Sequence, residues 1–132
     1  MESVARLQGL QELRVFHRRA AGETRNGDVT LVTQLSVDRL ASLGRQLISW
    51  PSFISAAILV THPETQLPEI ENWWLRDPGA SQRVDLHILL WNVDALKGGS
   101  GATEPQRYPV NFLRNTALIA ARTEVVLLLD VD

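Results

Sequence analysis

Two aspartates near the end of the sequence offer its clearest chemistry: Asp130 and Asp132 follow the apolar run Val125 to Leu129. In extended backbone, residues two apart project to the same side, so both carboxylates would share one edge of a strand. Like charges so placed repel and need a partner. A hard divalent cation, Mn2+ or Mg2+, shared with diphosphate oxygens answers that need. It would stabilise the negative charge that develops as a nucleoside diphosphate leaves. A pair of solvated turn aspartates is the plain alternative.

Other reactive side chains suggest less. His17, His62 and His87 are far apart and lack paired ligand spacing, so a zinc site has no support in the sequence. Trp73, Trp74 and Trp91 suit either sugar stacking or helix-on-sheet packing. The stretch Lys97 to Arg107 holds Gly98, Gly99 and Gly101, but it runs on through Glu104 and Pro105 before any helix. It reads as a surface connection rather than a phosphate-cradling loop. No G-x-S-x-G or P-loop pattern is present.

Positioning the aspartates is the task of the elements before them. Val4, Leu7, Leu10 and Leu13 fall at near-helical spacing, which predicts an amphipathic helix over 2–21, and the polar link Glu23 to Asp28 follows. Residues 1–28 are therefore expected to be a helical extension and linker. From Val29 the texture alternates regularly. Val29 to Leu35, Ile54 to Val60, Val84 to Trp91 and Val125 to Leu129 read as strands. Ser36 is a candidate N-cap for a helix with Val37, Leu40, Leu43, Leu47 and Ile48 on its inner face, stopped by Pro51. Pro68 is expected to open a second helix through Leu75, closed by Asp77-Pro78-Gly79. Pro109 opens a third, with Val110, Leu113, Ala117 and Ala121 inward. Strands so uniformly apolar are those covered by helices on both faces. The expected fold is α/β, a mostly parallel, doubly wound sheet.

Composition sets outer bounds. The 132 residues suit one domain, and 45% apolar with 21% charged side chains is ordinary globular composition. A net charge of -2, with a basic cluster only at Arg14, Arg18 and Arg19, argues against a nucleic-acid binder. Cysteine is absent, so disulfides and thiolate metal sites are unavailable. Apolar runs are strand-sized, short of the ~20 residues of a membrane helix. No signal peptide is visible at Met1-Glu2-Ser3-Val4.

Three segments resemble the LARGE-type glucuronyltransferases, glycosyltransferase family 49. These are Val29 to Leu40, the run Tyr108-Pro109-Val110-Asn111-Phe112-Leu113-Arg114-Asn115-Thr116-Ala117, and Leu127 to Asp132. The resemblance spans 29–132 in order, and its middle segment is the most specific. It implies a partial glycosyltransferase-A (Rossmann-like) fold, with 29–132 as the nucleotide-sugar-binding half. It implies an inverting, divalent-metal-dependent transfer from a UDP-sugar, with glucuronic acid or a related sugar passed to a glycan or glycoprotein acceptor in the Golgi. Carried over by position, Asp130 would meet the donor ribose or a metal-bound water, and Asp132 would ligate the metal. Both aspartates thus belong to the expected metal site. Thr33, Gln34, Leu35 and Ser36 would lie near the uracil. Arg114 and Asn115 precede the metal strand, where Arg114 would brace the aspartates or reach the diphosphate. The general base and acceptor half would lie beyond Asp132, so no catalytic residue is assigned and the isolated chain is expected to be inactive.

Two other readings compete. A haloacid-dehalogenase-type phosphohydrolase also ends an apolar strand in Asp-x-Asp, the first aspartate attacking phosphorus. That motif usually opens its domain, whereas here three strand–helix units precede it. A non-catalytic α/β binding module would keep the fold without the chemistry.

Overall fold

The computed structural model describes residues 2–7, 11–91 and 109–131. Within them the elements run β1 (Glu2–Leu7), β2 (Gln11–Arg18), β3 (Val29–Ser36), a 3-10 turn (Val37–Arg39), α1 (Leu40–Ser49) and β4 (Ile54–Val60). There follow α2 (Pro63–Arg76), α3 (Pro78–Arg83), β5 (Val84–Trp91), α4 (Val110–Ile119) and β6 (Val125–Leu128). The strands form one sheet in the order β1-β2-β5-β4-β3-β6. β5, β4, β3 and β6 are mutually parallel, and the β1–β2 pair is antiparallel along the β5 edge. The expected mostly parallel α/β sheet is what forms.

Alternation along the central strands divides the core in two. Ile54, Ala56, Ile58 and Val60 of β4, with Val84, Leu86 and Ile88 of β5 and Leu31 and Leu35 of β3, pack under α1, α2 and α3. Val32, Ala57, Leu59, Leu89 and Trp91 point the other way and meet Leu113 and Ala117 of α4. All seven residues of β4 are buried, as a central parallel strand requires. Burying each such Leu, Ile or Val contributes about 1.5–3 kcal/mol before conformational entropy is counted.

Four local expectations are corrected. Among the described residues of 2–21 no helix forms: β1 and β2 take 2–7 and 11–18, and β2 pairs with β5 from Leu13↔Trp91 to Arg18↔Leu86. The open backbone edge of β5 supplies hydrogen bonds that a marginal amphipathic helix cannot match, so tertiary pairing overrides local spacing. The segment is thus part of the sheet, not an extension from it. The second helix starts at Pro63, not Pro68. Gln66 reaches back to accept the N–H groups of Thr61 and His62, both at 2.9 Å, and this fixes the start. Pro68 then lies inside the helix on its exposed side, where water can satisfy the Glu64 carbonyl it leaves unpaired. Asp77 ends α2 and caps α3, accepting from the N–H of Gly79 at 2.9 Å. Ile48 is 86% exposed because a further 100° beyond Leu47 carries it off the buried stripe.

β6 departs most from a covered strand. Val125, Leu127, Leu128 and Leu129 are 44–61% exposed, and among the described residues β6 pairs only with β3.

Candidate functional site

β3 is the point at which the parallel sheet changes direction. From it the chain moves outward through α1 to β4 and then β5. It then returns past β3, with α4 on the opposite face, to lay β6 along the other side. In open α/β sheets, ligands bind outside the carboxyl ends of the strands at such a switch. The residues that meet there are the last turn of β3, the middle of α4 and the residues just after β6.

The register brings particular side chains together. β3 and β6 run parallel from Val29↔Val125 to Val32↔Leu128, and the Leu129 N–H then donates to the Val32 carbonyl at 3.1 Å. Two residues further along each strand stand Gln34 and Asp130, on the same side as Val32 and Leu128. That is the α4 side, and Arg114 of α4 closes over them. Its Nε donates to Asp130 Oδ1 at 3.3 Å and its Nη2 to Oδ2. Gln34 stands on the same side of the sheet as that carboxylate. The Arg114 hydrogen bond is the main reason Asp130 stays below the usual carboxylate range, against the opposing effect of partial burial. The same bond raises Arg114.

Of the expected site residues, Arg114 and Asp130 therefore meet, with Gln34 on the same side of the sheet. Thr33 and Leu35 do not: they are buried and lie on the other side of β3, toward α1. Thr33 Oγ1 is buried there with no hydrogen-bond partner among the described residues. Ser36 does not cap the following turn. Its hydroxyl donates to the Asp38 carboxylate instead. Asn115 is exposed on α4. Asp132 lies outside the described residues, as do Tyr108 and the stretch 97–107.

The described residues do not by themselves fit a divalent cation. Asp130 has both oxygens committed to Arg114, and no group of three His, Cys, Asp or Glu side chains is gathered among the described residues. A cation at Asp130 would compete with the guanidinium. The geometry instead presents a carboxylate held in one orientation, beside a cation that can meet phosphate oxygens.

Two polar clusters were not singled out in the sequence, and both hold the frame. At the opposite end of β5, Asp85 is 2% exposed. It accepts from the Ala20 N–H at 2.8 Å and from Arg122 Nε and Nη2 at 2.7 and 2.8 Å. Arg122 also donates to the carbonyls of Gly22 and Ala20 and lies over the Phe53 ring. Gly22 approaches Gln82 so closely that a Cβ would sit 2.5 Å from its carbonyl oxygen. The second cluster lies under α4. Ser55 Oγ donates to the Ala117 carbonyl at 2.7 Å and meets His87 Nε2 at 2.9 Å, while His87 Nδ1 faces His17 Nδ1 at 2.8 Å. The serine proton is spent on Ala117, so His87 Nε2 must carry its own proton and His87 Nδ1 must accept from His17. Burial, then the charge of His17, pushes His87 down to about 4. Trp74 donates to the Val84 carbonyl at 2.9 Å and belongs to packing. Asp85 interrupting an apolar strand was the one sequence signal for the first cluster.

The fold is α/β, with the Arg114–Asp130 pair at its switch point. No family model matches the chain. Over 117 residues, 89% of its length, it is 37% identical to the glycosyltransferase-like protein gnt15 of Dictyostelium discoideum. It is 33% identical over 112 residues, 82% of its length, to gnt13 of the same organism. It is 37% identical over 107 residues, 80% of its length, to the human xylosyl- and glucuronyltransferase LARGE2. The matched stretches are 20%, 16% and 13% of those proteins, so the chain spans a fifth or less of the relatives' length. These similarities support kinship with LARGE-like glycosyltransferases. None of these three names suggests a phosphohydrolase. Among the described residues no helix is long and apolar enough to cross a membrane.

Proposed function

We propose that this chain forms the donor-binding half of a LARGE-like, UDP-sugar-dependent glycosyltransferase that transfers glucuronic acid or a related sugar to a glycan acceptor. The observation that carries the reading is the Arg114–Asp130 pair just past β6, with Gln34 of β3 on the same side of the sheet. It occurs in a chain whose relatives carry transferase names. In this proposal Asp130 accepts hydrogen bonds from the donor, and Arg114 both orients Asp130 and offers donors to the diphosphate. Asp132 would be the metal-binding carboxylate, with Mn2+ or Mg2+ supplying charge neutralisation at the leaving diphosphate. Inversion and a Golgi setting for the parent enzyme belong to the same proposal and rest on the family resemblance.

Calorimetric titration of UDP with and without Mn2+ tests it. Uptake that requires Mn2+ and is lost in Arg114→Ala and Asp130→Ala supports the reading. Uptake indifferent to metal and to both substitutions points to a non-catalytic module, and absence of uptake by the folded chain rejects the donor site.

A further inference from the structure

The sequence presents Asp130 as half of a metal-binding pair, yet its carboxylate is given to a cation of the chain's own. Arg114 meets it with two donors, Nε reaching Oδ1 at 3.3 Å and Nη2 reaching Oδ2. Both oxygens that a divalent cation would use are therefore already taken by a positive charge. Among the described residues no group of three His, Cys, Asp or Glu side chains is gathered to offer a cation other ligands. We infer that Arg114 reserves the Asp130 carboxylate against divalent cations. A cation takes Asp130 only after the guanidinium has left it, so Arg114 opposes metal binding at this residue rather than assisting it.

Charge and geometry make the competition direct. A cation on the remaining lone pairs of Asp130 would stand close beside a fixed positive charge, and the two repel. An arginine stays charged across the accessible pH range, so acid or base does not release it. Only a competing charge can, either a cation at the carboxylate or an anion at the guanidinium. The pair is open to both, because the Arg114 and Asp130 side chains are 41% and 35% exposed. Ion pairs so exposed are weak enough to open and close. A ligand that needs the free carboxylate binds in proportion to the fraction of time it is free, so a pair closed about nine-tenths of the time weakens it about tenfold. The sign is diagnostic. Removing a residue that helps to hold a metal weakens metal binding, whereas removing one that reserves the ligand strengthens it.

The probe is Mn2+ alone, without nucleotide, so the outcome is independent of the donor-site reading. Mn2+ affinity is read from the paramagnetic broadening of the amide signals of residues 128–131. It is measured for the wild-type chain, Arg114→Ala, Arg114→Gln, and each of these combined with Asp130→Asn, with urea midpoints showing that every variant is folded. The expected result is about tenfold tighter Mn2+ binding in Arg114→Ala and Arg114→Gln than in wild type. That gain should vanish when Asp130→Asn removes the carboxylate. Mn2+ binding that is unchanged or weaker in the folded Arg114 variants overturns the inference. So does a gain that persists alongside Asp130→Asn, since it would come from the loss of positive charge in general and not from the release of Asp130. Failure of the folded wild-type chain to take up UDP would remove the donor site and leave this result standing.

Discussion

Acidification should weaken this fold through one buried imidazole. His87 is 3% exposed, its Nε2–H is committed to Ser55 and its Nδ1 accepts from His17, so a proton at Nδ1 would set two N–H groups face to face. Burial first, and the charge of His17 second, push it down to about 4 from the ordinary 6.5. In the unfolded chain the imidazole takes up its proton as pH falls through about 6.5, while the native one stays neutral until about 4. The unfolded state therefore binds more protons across that window, and stability falls as pH falls through it. At about 1.4 kcal/mol per pH unit, the window corresponds to a loss of about 3 kcal/mol from this residue. Urea unfolding at a series of pH values between 7 and 4 reads the effect, with His87→Gln as reference. The variant starts less stable but should lose about 3 kcal/mol less than wild type over that range. Parallel pH profiles for the two proteins, or an imidazole resonance of His87 titrating near 6.5, would refute the reasoning. The same cluster holds the Ala117 carbonyl, three residues along α4 from Arg114, so loosening it should also loosen the candidate site.

Other perturbations test the frame and the edge. Asp85→Ala leaves the Arg122 guanidinium buried and unpaired, and should cost about 3–5 kcal/mol in urea unfolding. Leu113→Ala opens a cavity between α4 and the sheet, at a cost of about 2–5 kcal/mol by the same measurement. Leu127→Lys lies on the exposed face of β6 and should change stability by less than about 0.5 kcal/mol while reducing self-association in light scattering.

The sequence showed the parallel core well and its borders poorly. Ile54 to Val60 and Val84 to Trp91 were legible to the residue because buried central strands leave a long apolar signature, which Ser55, Asp85 and His87 interrupt without breaking. The β1–β2 hairpin was not, since its stability comes from the free edge of β5, and Val4, Leu7, Leu10 and Leu13 fit a helix equally well when that edge is out of view. Pro68 misled for a similar reason. A proline marks a helix start only if no better one precedes it, and Pro63 with Gln66 was better. At the site, Asp130 was readable from its place after an apolar strand, and Arg114 only through the family resemblance of the Tyr108 to Ala117 segment. The placement of Gln34 on the same side as Asp130 was not, because it depends on which strand lies beside β3. Only the return of the chain past β3, which puts β6 there, reveals it.

In the proposed reading a nucleoside diphosphate sits at the carboxyl ends of β3 and β6, against Arg114 and Asp130. Backbone amide shifts mapped by NMR while UDP is added in the presence of Mn2+ test this most directly. The perturbed amides should cluster at residues 33–36, 113–116 and 128–131, and Arg114→Ala should abolish the perturbations. Perturbations confined to another surface, or a folded spectrum that UDP leaves unchanged, would contradict it.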